Sequence, residues 1–185
     1  SQEMARSILS GIIEIERKNH EWEGISWCWM AFGSEGRFEQ TFSTDQDNGI
    51  LFSAHGKAAP DAGRKSLLPF ARKVNEALDA CGFPLCKGDI MARNPKWCLS
   101  LEEWGAQFSA WIRNAVPEAL LNASVFFDFR ALAGEAKLAG ELRDTVLRAA
   151  TGNAAFRRAM AQTALKAQPP LGLLRDFTTD DSKEF

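Results

Sequence analysis

The eight residues Ile25-Ser-Trp-Cys-Trp-Met-Ala-Phe32 constrain this chain more than any other stretch. They are apolar on both faces apart from Ser26, too few for a good core helix, and closed by Gly33. Such a run is expected to form a strand buried in the middle of a sheet. Its aromatics, Trp27, Trp29 and Phe32, then fill the core rather than offer a platform for stacking bases. A polar crossing from Glu35 to Thr44 follows. Asp45-Gln46-Asp47 then leads directly into a second apolar run, Asn48 to Ser53, which reads as the next strand. Residues two apart in a strand share a face, so Asp45 and Asp47 are expected side by side with Gln46 pointing away.

Two adjacent carboxylates repel each other and stay ionised comfortably only beside a cation. Gly33 lets the backbone approach a phosphate, and Ser34 offers a hydroxyl and an amide donor. A helix starting here would add its free N–H groups. Mg²⁺ takes a few carboxylates plus substrate phosphate oxygens, so the turn and the Asp pair together read as one metal–nucleotide site. Arg37 suits a phosphate, with Glu39 placed to hold it. Lys87 and Arg93 stay open between triphosphate contacts and plain surface cations. Asp45-x-Asp47-x-Gly49 does not open a calcium loop, because Ile50 and Gly56 stand where such a loop needs glycine and glutamate. A solvated acidic turn without metal is the competing reading. Gly56-Lys57 is followed by Ala58 and lacks the earlier glycine of a phosphate-binding P-loop.

Gly33-Ser34 followed at an interval by Asp45-x-Asp47 resembles the signature of the DNA polymerase β-type nucleotidyltransferases. The fuller string over residues 33 to 48, Gly-Ser-Glu-Gly-Arg-x-Glu-Gln-Thr-x-x-Thr-Asp-Gln-Asp-Asn, is similar to nucleotidyltransferases found beside CBS and cyclic-nucleotide-binding domains in bacterial signalling proteins, relatives of the nitrogen-regulatory protein uridylyltransferases. Residues 82 to 97 and 121 to 130 resemble the same family, and the likeness runs roughly from residue 25 to residue 175. It implies an α+β fold, with a small mixed sheet flanked by helices and then a mainly helical segment. Enzymes of this kind use three carboxylates and two Mg²⁺ ions. Asp45 and Asp47 would then ligate metal, while Gly33 and Ser34 orient the phosphates, with Arg37 and Lys87 as further nucleotide contacts. The third acid is Asp128, Asp89 or neither, and Asp128 has the competing reading of an ion pair with Arg130 or a helix contact. Asp128-Phe-Arg resembles the Asp-x-Arg around the third acid of related adenylyltransferases, and an acid in the apolar run Val125 to Phe129 needs a reason to be there. Asp89 competes from an expected strand at Ile90 to Ala92. The implied partners are a nucleoside triphosphate, a protein or small-molecule acceptor, and an upstream CBS or cyclic-nucleotide-binding domain. A regulatory module that binds without turnover is the alternative.

The remaining residues set limits. A net charge of −2 over 185 residues gives no general attraction to long nucleic acid or to an anionic membrane. No apolar run is long enough to span a bilayer, and the N-terminus lacks a signal-peptide pattern, so a cytoplasmic protein is expected. Cys28, Cys81, Cys86 and Cys98 form no Cys-x-x-Cys pair, which argues for buried or half-buried thiols and against zinc. Helical spacing predicts an amphipathic helix over residues 3 to 18. Residues 54 to 64 read as a mobile loop, and Ser66 as the N-cap of a helix stopping at Gly82. Ser100-Leu-Glu-Glu103 is a capping box that opens a helix with Leu101, Trp104, Phe108, Trp111 and Ile112 on one side. Pro117 ends that helix or starts the next, and two more are expected near 135 to 150 and 153 to 167, broken at Gly152 and at Pro169-Pro170. A boundary near residue 99 would divide a nucleotidyltransferase core, 1–99, from a helical segment, 100–185, expected to be a truncated substrate-binding domain.

Overall fold

The computed structural model describes residues 2–20, 22–37, 45–54, 60–114 and 125–166. Its centre is a mixed four-stranded sheet built from β1 (Ile25–Ala31), β2 (Asn48–Ala54), β3 (Cys98–Ser100) and β4 (Arg130–Gly134), in the order β3-β2-β1-β4. β1 pairs antiparallel with both β2 and β4, and β2 runs parallel to β3. Around the sheet lie α1 (Gln2–Arg17), the one-turn α2 (Gly33–Gly36), α3 (Pro60–Ala80), α4 (Leu101–Arg113), α5 (Ala136–Gly152) and α6 (Ala154–Lys166). The fold is α+β, as expected.

The absence of alternation in β1 has a direct cause: both of its faces are covered. Cys28, Met30 and Phe32 join Leu51 under Trp104, Phe108, Leu138 and Leu142 of α4 and α5. Trp27 and Trp29 join Ile50 and Phe52 under Leu67, Phe70, Val74 and Leu78 of α3, with Ile13 of α1. The aromatics of β1 are therefore core, Trp29 and Phe32 wholly so. Each large side chain removed from water in this way contributes about 1.5–3 kcal/mol. Trp104 also donates its Nε1–H to the Ile50 carbonyl at 3.0 Å, so the indole buries no unpaired polar atom.

Several boundaries depart from expectation. α3 begins at Pro60, where proline's missing N–H costs nothing and its fixed φ suits a first helical residue, so residues 60 to 64 belong to the helix and not to a loop. Ser66 is consequently inside α3, its hydroxyl donating to the Gly63 carbonyl at 2.8 Å, and is no N-cap. The stop at Gly82 stands: its φ is +93°, and the Phe83 N–H reaches back to the Leu78 carbonyl at 3.0 Å. Ile90 to Ala92 form turns rather than a strand, because the backbone there bonds to the 46–48 segment and to side chains instead of to a neighbouring ladder. β4 was not foreseen in Arg-Ala-Leu-Ala-Gly. The capping box is present with both bonds, 3.2 Å from the Glu103 N–H to Ser100 Oγ and 2.8 Å from the Ser100 N–H to Glu103 Oε2. α5 runs through Gly152 and breaks at Asn153. Of the cysteines, Cys28 and Cys98 are buried and Cys86 is half-buried, but Cys81 is exposed. Residue 99 lies inside β3, and β4 from the downstream half pairs with β1 from the upstream half. Glu39, His55, Pro117 and the chain beyond residue 166 lie outside the described residues.

Candidate functional site

β1 ends at a glycine turn. Gly33 has φ +54°, a left-handed conformation that a side chain disfavours, and it opens α2. The Asp45–Asp47 segment is tied to this turn by the Phe32 N–H, which donates to the Asp47 carbonyl at 2.9 Å. The Asp47 carboxylate faces the turn: a Cβ built on Gly33 would lie 3.9 Å from Asp47 Oδ2 and 3.9 Å from Val125 Cγ1. Ser34 occupies the second position of α2, and its side chain lies outside what the structure describes.

The two aspartates precede β2 rather than lie in it, yet the alternation expected of a strand holds. Gln46 is 2% exposed while Asp45 and Asp47 are half-buried on the opposite side. Burial pushes the Asp47 carboxyl above its usual range; a hydrogen bond from the Cys86 thiol pulls the other way, and repulsion from Asp45 adds to the rise. The oxygen donors of the two carboxylates are those a hard divalent cation takes alongside water and phosphate. Asp45 and Asp47 therefore fit Mg²⁺.

Asp128 also reaches this turn. Gly36 packs so closely on the Asp128 carbonyl that any side chain at position 36 would collide with it. The Asp128 carboxylate accepts from Arg37 Nη1 at 3.1 Å, with the two side chains 49% and 39% exposed. The cost of burying an acid among Val125, Phe126, Phe127 and Phe129 therefore does not arise, because Asp128 turns outward while Phe126 and Phe129 go in. The structure brings Arg37 and Asp128 together; among the described residues, no three His, Cys, Asp or Glu side chains are grouped closely enough to hold a metal ion.

Asp89 is on no strand. It sits in a turn with φ +52°, accepts from Asn94 Nδ2 at 2.9 Å and pairs with Arg93 at 3.5 Å. It lines an open cleft of about 450 Å³ with Arg72, Glu76, Arg93, Asn94 and Pro95. Lys87 is exposed in the turn that follows Cys86.

Sequence reasoning passed over the residues beneath the aspartates. Gln46, Asn48 and Asn75 are 2%, 2% and 0% exposed and bonded to one another. Asn75 Nδ2 donates to Gln46 Oε1 at 2.7 Å and to Asn48 Oδ1 at 3.0 Å. Gln46 Nε2 donates to the carbonyls of Asn75 and Phe83 at 3.0 and 2.7 Å. The available signal was Asn75 itself, an amide at a core position of α3 between Ala71, Val74 and Leu78.

No curated protein and no solved structure gives a significant match to the chain. One family does, over a region that contains Gly33, Asp45 and Asp47 and ends before Asp128. Residues 1–118, more than half of the chain, match its model, and the chain belongs to the family described as Putative nucleotidyltransferase DUF294.

Proposed function

We propose that this nucleotidyltransferase is Mg²⁺-dependent and of the DNA polymerase β type, moving a nucleoside monophosphate from a nucleoside triphosphate to a hydroxyl of a protein or small molecule in bacterial signalling. The observation that carries this reading is the half-buried Asp47 carboxylate, with Asp45 beside it, facing the left-handed Gly33 turn. A phosphate accepted by the turn would meet the carboxylate pair across it. Asp45 and Asp47 would hold Mg²⁺, two ions in the full complex. When bound, the metal would activate the attacking hydroxyl and neutralise the triphosphate.

The chain's own residues supply position and charge. Gly33 leaves room for phosphate, Ser34 offers an amide, and Arg37 and Lys87 offer cations. An incoming triphosphate competes with Asp128 for Arg37, so the exchange would give Arg37 a phosphate and free Asp128 to act as the third acid. The hydroxyl then attacks the α-phosphate in line and pyrophosphate leaves, with the barrier lowered by orientation and electrostatics. The resemblance to signalling chains supports an upstream CBS or cyclic-nucleotide-binding domain, kinship with the nitrogen-regulatory protein uridylyltransferases, and a cytoplasmic setting. Among the described residues, no helix is long and apolar enough to cross a membrane.

A second reading draws on the Arg37–Asp128 pair. If that pair is permanent the acid set stays incomplete, and the chain is a regulatory module that binds nucleotide or a partner without turnover. Calorimetric titration of each nucleoside triphosphate with Mg²⁺, repeated with Asp45→Asn/Asp47→Asn, tests the first reading. Metal-dependent, base-selective binding lost in the double variant supports it; binding that survives both the substitutions and metal removal overturns it in favour of the second.

A further inference from the structure

Fully buried side-chain amides are costly unless every polar atom finds a partner, and three of them bonded together beneath a charged pair call for a reason. Gln46 and Asn48 alternate with Asp45 and Asp47 along one short segment, so whatever holds the amides also sets the aspartates. What holds them is Asn75 from α3 and the loop from Phe83 to Arg93. Along the backbone, the Gln46 N–H donates to the Pro84 carbonyl and the Asn48 N–H to the Ile90 carbonyl, both at 3.0 Å. Through side chains, Gln46 Nε2 donates to Phe83, Asn48 Oδ1 accepts from the Ala92 N–H at 2.9 Å, and Asn75 Oδ1 accepts from the Arg93 N–H at 3.0 Å. The loop is fastened at both ends. Between them it presents the half-buried Cys86.

We propose that Gln46, Asn48 and Asn75 are positioning residues: a buried amide clasp that seats the 83–93 loop against the Asp45–Asp47 segment and so fixes the carboxylate pair in a cation-binding geometry. The inference rests on the metal–nucleotide reading for its consequence, but the seating of the loop stands independently of it. Partners that orient metal ligands from behind generally matter nearly as much as the ligands themselves. The clasp also explains why a glutamine separates the aspartates. Its long amide reaches two carbonyls on separate segments and still accepts from Asn75, which neither a shorter nor an apolar side chain would do.

The test uses Gln46→Met, which keeps length and removes the amide, and Asn75→Ser as a second variant. Both are made in a Cys81→Ser background so that Cys86 is the accessible thiol, Cys28 and Cys98 being buried. Arg64→Met is the control. Arg64 ties α3 to Glu103 and to the Cys98 carbonyl, away from the clasp, so its loss lowers stability without touching the loop. Two quantities are read: the iodoacetamide alkylation rate of Cys86, and affinity for Mg²⁺ with whichever of the four nucleoside triphosphates wild type binds most tightly.

The expected result is faster alkylation in both clasp variants and an affinity loss of about tenfold or more, with neither change in Arg64→Met. Wild-type rates and affinities in folded clasp variants would overturn the proposal, as would failure of both to fold, since the amides would then serve the fold alone. If wild type binds no Mg²⁺–nucleotide, the metal reading fails separately, and the alkylation rate decides whether the clasp seats the loop.

Discussion

The two acidic segments that meet at the Gly33–Gly36 turn are built in opposite ways. Asp45–Asn48 is held by backbone bonds to Phe32, Pro84 and Ile90 and by three buried amides. Asp128 touches the turn through its carbonyl and, among the described residues, forms an ion pair with Arg37 between half-exposed side chains. An exposed pair of that kind is worth about 0–1 kcal/mol, whereas each buried amide left unpaired would cost about 1–3 kcal/mol. The segment that carries Asp45 and Asp47 is therefore firmly set, whereas the Asp128 carboxylate is adjustable.

The largest effect is expected at Asp45 and Asp47. Asp45→Asn/Asp47→Asn is expected to lower pyrophosphate release by more than about 100-fold, since losing the ligands should exceed the loss of their supporting partners. Next comes the identity of the adjustable acid. Asp128→Asn is expected to reduce turnover about 100-fold while changing stability by less than about 1 kcal/mol. Asp89→Asn, which tolerates the left-handed turn, should leave turnover near wild type; a reversed order in steady-state assays would assign the role to Asp89.

A smaller effect is expected at the seam between the two segments. Gly36→Ala drives a methyl into the Asp128 carbonyl and should cost about 1–3 kcal/mol, read as a lower urea midpoint. An unchanged midpoint would show that the segments are not packed together in solution.

The smallest effect concerns pH. Burial first, and Asp45 after it, raise the Asp47 carboxyl in the folded protein against the pull of the Cys86 thiol. The folded state then holds that proton more tightly than the unfolded state does. The resulting stability is full below the ordinary carboxylate value and is lost as pH rises through the raised folded value. Metal-free Asp47→Asn should therefore be slightly more stable than wild type at neutral pH, by less than about 1 kcal/mol after solvent screening. Thermal melts of both at pH 4 and pH 7 check this: the difference should shrink at the lower pH.

Much of this arrangement was legible in the chain, and the legible parts share a cause. β1, α1, the Ser100–Glu103 capping box and the stop at Gly82 are set by neighbours a few residues away, through periodicity, end-capping and a left-handed glycine. Gln46 pointing away from Asp45 and Asp47 follows from the same local alternation. The start of α3 was missed because glycine, lysine and proline crowd residues 56 to 63, although Pro60 is a good first helical residue.

Long-range partners decided the rest. Arg-Ala-Leu-Ala-Gly becomes β4 because the edge of β1 at Cys28 to Ala31 is open to pair with it, not because its residues favour extension. Asp128 faces solvent because Gly36 admits its carbonyl and Arg37, 91 residues earlier in the chain, meets its carboxylate. The amides of Gln46 and Asn48 are buried because Asn75, 29 and 27 residues on, completes their hydrogen bonds. Neighbouring residues in the chain set the glycine turn, the carboxylate pair, β1, β2 and the bodies of the helices, but neither β3 nor β4. Tertiary structure alone decided how firmly each acid is held, because a buried polar group is stable only where distant segments bring it a partner.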